Sequence, residues 1–396
     1  MNRVSRKFSD MPSILYLAPC APGKTFGQAS RVAQIVGGLE AIGKVDLVVV
    51  KAAEWLMEIP PGCGVINLQR DTDRSVWRSF RGAFDARFMG AEGLIATKSD
   101  RASIMEMLPR YDLVWIHSLR VADALQRWQW PRSVMDIDDV GSTWIQTELE
   151  SGLGIAGRFR TWVRWHAARR RERLFGDRFT TLSVCSDVDR QYLSLRKKVH
   201  VIPNGFAKPE HAPPRRVAHP PRIGFIGTLE FRPNAAGVSW FAAHGWPRVK
   251  QQIADARFRL IGSPGKDVPT NLGPDIDTLG YVDDPAEEIA TWSAMVVPLQ
   301  LGAGTRVKVA EAFSRRCPLV STPVGVYGYN VENERELLIA DSAHELADAC
   351  VRMIRHPEEA TAMANRAWSR FLEEWSWEAI NPRVWDTVKA CLDAGR

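Results

Sequence analysis

The sequence predicts an α/β protein of two domains, and three observations carry this prediction. Short apolar runs that read as buried strands alternate with segments of helical periodicity, which is the pattern of β-α-β units around a parallel sheet. The pattern is interrupted once, between residues 206 and 221, where five prolines accumulate, and it then restarts. A chain of 396 residues is also long enough to bury two hydrophobic cores.

The individual elements follow from these runs. In the first half, a helix is predicted at residues 27–42, and strands are predicted at residues 14–18, 45–50, 112–117, 133–137, 180–185 and 199–202. In the second half, strands are predicted at residues 222–226, 257–261, 276–279, 294–299 and 319–321. Helices are expected from about residue 233, at 345–356, at 357–371 and, as an amphipathic end, at 373–392. We therefore expect a domain at 13–205, a linker at 206–221, a second domain at 222–375, and a helix at 376–396 that packs back on the first domain.

Composition limits the classes of function. The net charge of +6 favours anionic partners without choosing among them. Six scattered cysteines without a C-x-x-C pattern predict reduced thiols. No apolar run approaches the roughly 18–20 residues that span a bilayer, and Asp10 and Pro12 interrupt the only candidate for a signal peptide. The sequence predicts a cytoplasmic protein, with membrane contact limited to the inner membrane surface.

The most informative stretch is a glycine-containing loop after the predicted strand 294–299. Gly302 and Gly304 lack side chains, so their backbone can approach a ligand closely. The loop opens a predicted helix, and the free N–H groups and positive dipole at a helix start favour an anion.

This predicted helix carries Arg306, Lys308 and Glu311. Lys308 and Glu311 are three residues apart, so they share one helix face with Thr305. A cation and a carboxylate at an anion-binding helix start suit a ligand with phosphates and vicinal hydroxyls, as in a nucleoside diphosphate. The alternative is a turn before an ordinary amphipathic helix with a surface ion pair. A second loop at Gly325 and Gly328, after the neighbouring predicted strand, favours a binding site, because open α/β sheets bind ligands at such strand ends.

These residues resemble the nucleotide-sugar site of the retaining glycosyltransferases of family 4, in particular bacterial exopolysaccharide and cell-surface sugar transferases. The resemblance rests on the loop 302–311, on Pro318–Thr322 with Gly325, and on three further stretches: Val184–Asp189, Val199–Gly205, and Arg222–Thr228 with Arg232-Pro-Asn. It covers residues 179–379 closely and 13–146 more loosely. It implies the GT-B fold, in which two Rossmann-like domains with parallel sheets face each other across a cleft.

The resemblance also implies roles for individual residues. Arg306 or Lys308 would neutralise the donor diphosphate, with Arg232 as a second candidate, and Glu311 would accept hydrogen bonds from the ribose. Loop donors at Gly227 and Thr228 would contact the diphosphate, and the backbone near Val282 would meet the base. In the first domain, Gly27 matches a glycine that approaches the diphosphate, and His117 matches a histidine beside the reacting sugar.

One departure from the family concerns Ala303, where many members have a glutamate near the donor sugar. Sugar recognition would then rest on the backbone of Gly302–Gly304, and the donor sugar is not inferred. His117 would position sugar or acceptor, although a histidine at a strand end is also often a core group. We expect no cofactor and no metal. The Asp136-Ile-Asp138-Asp139 stretch is read as loop turns and helix caps, or as a contribution near the acceptor.

The main hypothesis is a transferase that uses a glycan or lipid-linked saccharide acceptor, and other hypotheses remain open. A non-catalytic nucleotide-sugar-binding partner subunit and a nucleotide-sugar epimerase would use the same fold. The G-x-G-x-x-G pattern at 152–157 does not predict a dinucleotide site, since a helix-like segment precedes it. Residues 158–173 hold seven arginines around much of a predicted helix. This favours a solvated surface helix, with peripheral membrane docking as the alternative and nucleic acid not expected.

Overall fold

The structure, a computed structural model, describes residues 11–23, 27–52, 58–70, 94–150, 154–210, 213–263 and 272–394. The chain divides into two compact units. One comprises residues up to Ile202 together with Asn381–Arg396, and the other comprises Pro203–Ile380. In the first unit, the indole Nε1 of Trp385 donates a hydrogen bond of 2.8 Å to the carbonyl of Gly38.

In its described residues, the first unit contains an eight-stranded sheet in the order β4-β3-β2-β1-β5-β6-β7-β8. The strands are β1 Ser13–Ala18, β2 Lys44–Ala52, β3 Gly64–Arg70, β4 Leu94–Ala96, β5 Leu113–His117, β6 Trp130–Ile137, β7 Phe179–Val184 and β8 Val199–Val201. Only the β3–β4 pair within the described part of this sheet is antiparallel. The α-helices are Gly27–Glu40, Lys98–Met107, Leu119–Ala124, Gly141–Glu150, Ile155–Arg173, Phe175–Arg178, Asp187–Leu193 and, from Asn381 onward, most of Trp377–Ala394.

The second unit contains a six-stranded parallel sheet in the order β11-β10-β9-β12-β13-β14. The strands are β9 Arg222–Ile226, β10 Arg257–Ile261, β11 Ile276–Thr278, β12 Ala294–Val297, β13 Leu319–Ser321 and β14 Leu338–Ile339. The α-helices are Arg232–His244, Trp246–Gln252, Ala286–Ala290, Val307–Ser314, Ala343–Arg355 and Pro357–Arg370, and a π-helical turn follows at Phe371–Trp375. Two apolar clusters hold the helices to the sheet, one around Phe241 and Phe258 and one around Phe313 and Trp375.

Both sheets reverse their strand order at one point. Counted from the first strand of each unit, the order is 4-3-2-1-5-6-7-8 in the first sheet and 3-2-1-4-5-6 in the second. The reversal lies between β1 and β5 in the first unit and between β9 and β12 in the second. The carboxyl ends of the strands beside such a reversal are where doubly wound α/β proteins bind ligands. The fold therefore points to one such position in each unit.

The predicted α/β class is confirmed, while some elements differ from the sequence prediction. β3, β4 and β14 were not predicted: β4 and β14 are only three and two residues long, and β3 buries only Ile66 and Leu68. The segment predicted as a linker lies in the second unit, where the N–H groups of Arg216 and Ala218 donate to the carbonyls of Ala290 and Thr291. Prolines exclude regular structure there but leave other backbone groups free to pair.

Two further properties bear on the sequence predictions. All six cysteines lie in the described part of the chain and are free thiols, five of them buried. Among the described residues, no helix combines the length and the apolar character that crossing a membrane requires.

Candidate functional site

Two glycine-containing loops follow neighbouring strands of the second sheet. Gly227 and Thr228 come directly after β9, and residues 298–306 connect β12 to the helix Val307–Ser314. β9 and β12 pair at the point where the strand order reverses. The structure thus brings both predicted loops to the edge of the sheet where ligands are expected.

Lys308 connects these two loops. Its Nζ donates to Oδ1 of Asn234 at 2.8 Å and lies 4.0 Å from the ring centre of Phe225. Burial, together with the charge of Arg306, lowers the pKa of Lys308 well below its ordinary value of 10.5. An anion bound beside this ammonium would restore its charged form, so the position favours phosphate.

Gly227 makes room for this arrangement. Its φ of +150° is one that side chains disfavour, and an added Cβ would lie 2.8 Å from Nζ of Lys308 and 2.9 Å from Nδ2 of Asn234. The N–H of Gly227 donates to the carbonyl of Ile261 at 2.8 Å, so it differs from the free loop donor that the resemblance implied. The strand pairing of β9 with β10 continues through this residue and uses its donor. Gly227 instead allows the side chains of Lys308 and Asn234 to lie close to its backbone. Thr228 follows it, and its carbonyl accepts a hydrogen bond of 2.8 Å from Nδ2 of Asn234.

The loop after β12 is fixed by its own contacts. Gly302 and Gly304 have φ values of +130° and +72°, which glycine adopts readily. The guanidinium of Arg306 donates to the carbonyl of Ala303, and a Cβ on Gly302 would lie 2.3 Å from its Nη2. The hydroxyl of Tyr329 donates to the carbonyl of Arg306 at 2.8 Å. The loop therefore holds its cation in a defined place.

The helix begins at Val307, after Thr305, which the sequence prediction had placed on one helix face with Lys308 and Glu311. Arg306 is the extended N-cap and Val307 the first helical residue, so Thr305 lies before the helix and does not share a helix face with Lys308. The hydroxyl of Thr305 is buried without a hydrogen-bond partner among the described residues, and its carbonyl accepts from Nδ2 of Asn204 at 3.2 Å. A buried hydroxyl of this kind at a helix start is available to a ligand oxygen.

Glu311 lies one turn after Lys308 and is buried. Burial raises the pKa of its carboxyl, and the neighbouring guanidinium of Arg315 opposes this shift. Nε and Nη2 of Arg315 lie 3.2 and 3.1 Å from Oε1 of Glu311. Arg315 thus partly offsets the effect of burial and favours the ionised form, which accepts hydrogen bonds from hydroxyl groups.

The remaining predicted residues of this unit occupy the surroundings of the loops. Arg232 is exposed and is the first residue of the helix that follows β9. Val282 is partly buried against the apolar cluster that contains Phe313. The structure places Arg232 at the sheet edge that carries the two loops. The contact of Val282 with the apolar cluster does not assign it a role in ligand binding.

In the first unit, Gly27 and His117 occupy the corresponding positions. Gly27 begins the helix after β1, and His117 ends β5, the strand paired with β1 at the reversal. The His117 side chain is buried, and its Nδ1 lies 2.9 Å from the hydroxyl of Tyr16. Its Nε2 has no hydrogen-bond partner among the described residues and lies 3.8 Å from Oδ2 of Asp138.

A buried ion pair lies beside His117. Nε and Nη2 of Arg31 donate to the two carboxylate oxygens of Asp136 at 3.0 and 2.6 Å. The hydroxyl of Ser183 donates to Oδ1 of Asp136 at 2.9 Å. Asp136 is therefore part of β6 and of the core, which differs from the loop or capping role expected from the sequence.

Three residues of these two sites were not assigned a role from the sequence: Asn234, Arg315 and Arg31. Asn234 lies in the Arg232-Pro-Asn stretch, where an amide in the first helical turn was a usable signal. Arg31 was also recognisable, because it falls at a buried position of the helix Gly27–Glu40, four residues before Ile35. A charge at such a position requires a partner. Within the described ranges, no three His, Cys, Asp or Glu side chains converge as a metal ion would require.

Comparisons with known proteins bear on the fold and on the class of protein. Residues 220–356 match the family model of glycosyl transferases group 1. The fold is of the GT-B type. Sucrose-phosphate synthase from Thermosynechococcus elongatus superposes with a TM-score of 0.68 at 18% identity, covering 95% of this chain and 98% of that one. HepE from Anabaena, in complex with UDP and glucose, gives a TM-score of 0.63 at 14% identity, with 96% and 99% covered. WaaG, a glycosyltransferase involved in lipopolysaccharide biosynthesis, gives a TM-score of 0.63 at 13% identity, covering 95% of this chain and 99% of that one. No curated protein matches the sequence.

The family match and the fold together indicate a glycosyltransferase of the GT-B type. The matched region contains the loops after β9 and β12, with Lys308 and Glu311. The structural likenesses, all at low identity, establish the fold, and the chemistry of this chain has to be argued from its own residues.

Proposed function

We propose that this chain is a retaining, metal-independent glycosyltransferase of family 4. It would transfer a sugar from a nucleoside diphosphate sugar to a glycan or lipid-linked saccharide during surface polysaccharide synthesis. The observation that supports this most is Lys308, a partly buried ammonium with a lowered pKa at the meeting point of two glycine-containing loops. The likeness to proteins whose structures hold UDP, or that act in lipopolysaccharide biosynthesis, supports the classes of donor and acceptor.

The donor would bind along the second unit. Lys308 and Arg306 would lie against the diphosphate, Thr305 would donate its hydroxyl, and Glu311 would accept hydrogen bonds from the ribose. Arg232 at the neighbouring helix start would add a further cation. The backbone of Gly302–Gly304 would face the sugar, where Ala303 offers no carboxylate.

Cleavage of the sugar–phosphate bond puts negative charge on the leaving diphosphate and positive charge on the sugar ring. Fixed cations at the diphosphate stabilise this separation more than they stabilise the ground state. Lys308 and Arg306 would do here what a divalent cation does in other transferases. In a front-face reaction, the leaving phosphate accepts the proton of the attacking hydroxyl and the sugar keeps its anomeric configuration. His117 and Gly27 of the first unit are proposed to position the substrates for this step.

A panel of UDP-, GDP- and ADP-sugars tests the proposal. Wild-type protein should release a nucleoside diphosphate from one donor in the presence of EDTA, and Lys308→Ala should abolish the release, while Lys389→Ala, at an exposed lysine, should leave it unchanged. The anomeric configuration of the product, read by NMR, tests retention. At 100 times its dissociation constant, the donor should add about 2.7 kcal/mol to the stability of the protein.

Two other outcomes would replace the proposal. Donor-induced stabilisation without any release of diphosphate would indicate a non-catalytic nucleotide-sugar-binding subunit, for which Ala303 is the supporting observation. Conversion of the donor to another nucleotide sugar without an acceptor would indicate an epimerase.

A further inference from the structure

A surface of the first unit carries an apolar stripe that the proposed reaction does not use. Ile155, Phe159 and Trp162 lie on the helix Ile155–Arg173 and are 91, 67 and 50% exposed. Their spacing of four and three residues places them on one face. The rings of Phe159 and Trp162 stack with centroids 6.2 Å apart, and His166 continues the row 4.2 Å from Trp162. Single exposed hydrophobic residues are ordinary, whereas a contiguous stripe indicates an interaction surface.

Other sides of this helix are anchored to the rest of the unit. Glu172 is buried and accepts hydrogen bonds from the backbone and hydroxyl of Ser142 at 2.8 and 2.6 Å. Arg171 pairs with Asp123, and Arg164 pairs with Glu148 at 3.0 Å. The anchoring contacts fix the orientation of the helix, so the stripe remains directed outward.

In a uniformly solvated helix, all the arginines would have similar surroundings. The arginines of this helix do not. Arg164, Arg169 and Arg171 pair with carboxylates. Arg158 and Arg173 are exposed and lie on the face of the stripe: Arg158 is one turn before Trp162, and Arg173 is five turns after Ile155. The helix has a single acidic residue, Glu172, which is buried, so its exposed face is purely basic and apolar.

We propose that this face docks onto an anionic lipid membrane. The helix would lie in the plane of the interface, with Ile155, Phe159 and Trp162 at the acyl boundary and with Arg158 and Arg173 against anionic headgroups. The combination selects a lipid surface, because a polyanion alone would engage the arginines and would leave the Ile155 side chain in water. This inference goes beyond the proposed reaction and does not depend on it.

Co-sedimentation of the full-length protein with vesicles tests the docking surface. Wild-type protein should bind phosphatidylcholine vesicles that contain phosphatidylglycerol and should not bind phosphatidylcholine alone. Phe159→Ser/Trp162→Ser should weaken binding at least about tenfold, since burying one such side chain contributes roughly 1.5–3 kcal/mol. Arg158→Glu/Arg173→Glu should weaken it more than about twentyfold, because each basic group at an anionic surface contributes about 1 kcal/mol.

Matched variants in the second unit control for general surface effects. Val217→Ser/Leu372→Ser removes two exposed hydrophobic side chains, and Arg216→Glu/Arg335→Glu reverses two exposed charges. Both should bind anionic vesicles as the wild type does. The proposal is overturned if the wild-type protein does not bind anionic vesicles at low salt. It is also overturned if Phe159→Ser/Trp162→Ser binds the vesicles as tightly as the wild type, or if the stripe binds duplex RNA instead of vesicles. Release of nucleoside diphosphate from a soluble assay is recorded in parallel, so a failed docking surface and a failed active site give different results.

Discussion

Arg315 holds the carboxylate of Glu311 through a single oxygen: its Nε and Nη2 lie 3.2 and 3.1 Å from Oε1. A ligand hydroxyl would then meet Oε2. Asp284 lies 3.5 Å from Nη1 of Arg315 and helps to hold the guanidinium. Burial raises the pKa of the Glu311 carboxyl, and Arg315 opposes this shift and so favours the ionised form.

We therefore predict that Arg315→Met shifts the pH dependence of donor binding to higher pH. Without the guanidinium, the pKa of Glu311 rises further, so the carboxyl becomes protonated at a higher pH and accepts hydrogen bonds from the ribose less well. The loss of donor affinity on acidification should begin at a higher pH than in the wild type. Dissociation constants for the donor, measured by calorimetry across a pH series, check this expectation.

Two variants control this experiment. Arg315→Lys should restore most of the wild-type profile, and Arg316→Met, at the exposed neighbouring position, should leave it unchanged. A profile for Arg315→Met that coincides with the wild type would show that Arg315 does not act through Glu311.

Lys308→Met is predicted to stabilise the unliganded protein and to abolish donor binding. The folded-state pKa of Lys308 is well below 10.5, so the unfolded chain binds the proton more tightly. Stability therefore rises with pH between the folded-state pKa and about 10.5, and it is lower below that window. Methionine removes this proton linkage, and the slope of Tm against pH in the alkaline range should decrease.

Thermal unfolding across pH, with and without donor, measures both effects. The wild type should gain about 2.7 kcal/mol at 100 times the dissociation constant of the donor, and Lys308→Met should gain almost none. Lys389→Met, at an exposed lysine, should behave as the wild type in both respects. A Lys308→Met variant that still responds to donor would contradict the proposed site.

Gly227→Ala should displace Lys308. The added methyl group would come within 2.8 Å of Nζ of Lys308 and 2.9 Å of Nδ2 of Asn234, at a φ of +150°. We expect loss of most donor affinity, and a destabilisation of about 1–3 kcal/mol from the strained backbone. Gly273→Ala is the matched control, because Gly273 has a φ of +134° and no atom of the described residues lies within 4 Å of an added Cβ. It should share the strain and keep the donor affinity, and equal donor affinities in the two variants would rule out the clash as the cause.

The sequence predicted the doubly wound sheets and the edge at which Lys308 and Glu311 lie, because strand periodicity and glycine loops are local signals. It could not predict which long-range partner each charged residue takes. The link from Lys308 to Asn234 spans 74 positions and that from Arg31 to Asp136 spans 105. The short strand β14 was invisible for a related reason, since a two-residue strand has no period of its own.

The interpretation of residues 158–173 as a membrane-binding helix also depends on long-range partners that the sequence does not predict. On the sequence, seven arginines surround the helix and suggest an ordinary solvated surface. Only the partners of Arg164 and Arg171, on other helices, show which side faces the protein. Residue spacing alone predicts the angle of each side chain around the helix axis, but it does not show which side of the helix is exposed.

The buried pair between Arg31 and Asp136 supplies the last prediction. Asp136→Ala removes the fully buried carboxylate that binds the guanidinium of Arg31 through two hydrogen bonds, and leaves Oδ1 of Asp138, 3.9 Å from Nε, as a more distant counter-charge. Such a loss costs about 3–5 kcal/mol, and replacing both partners by apolar residues costs much less. Arg31→Met/Asp136→Leu should therefore be more stable than Asp136→Ala. Urea unfolding of the three proteins measures the difference.

The exposed pair between Arg335 and Glu332 gives the scale for this experiment. Its nitrogen and oxygen lie 2.9 Å apart with more than half of each side chain exposed, so Glu332→Ala should cost under about 1 kcal/mol. Asp136 pairs in register with His117 across β5 and β6, and its Oδ2 lies 3.7 Å from Nδ1 of that histidine. The double variant should therefore regain stability but not turnover, because His117 loses the carboxylate beside its Nδ1. If Asp136→Ala costs no more than Glu332→Ala, the pair does not stabilise the first unit, and its place beside His117 needs another explanation.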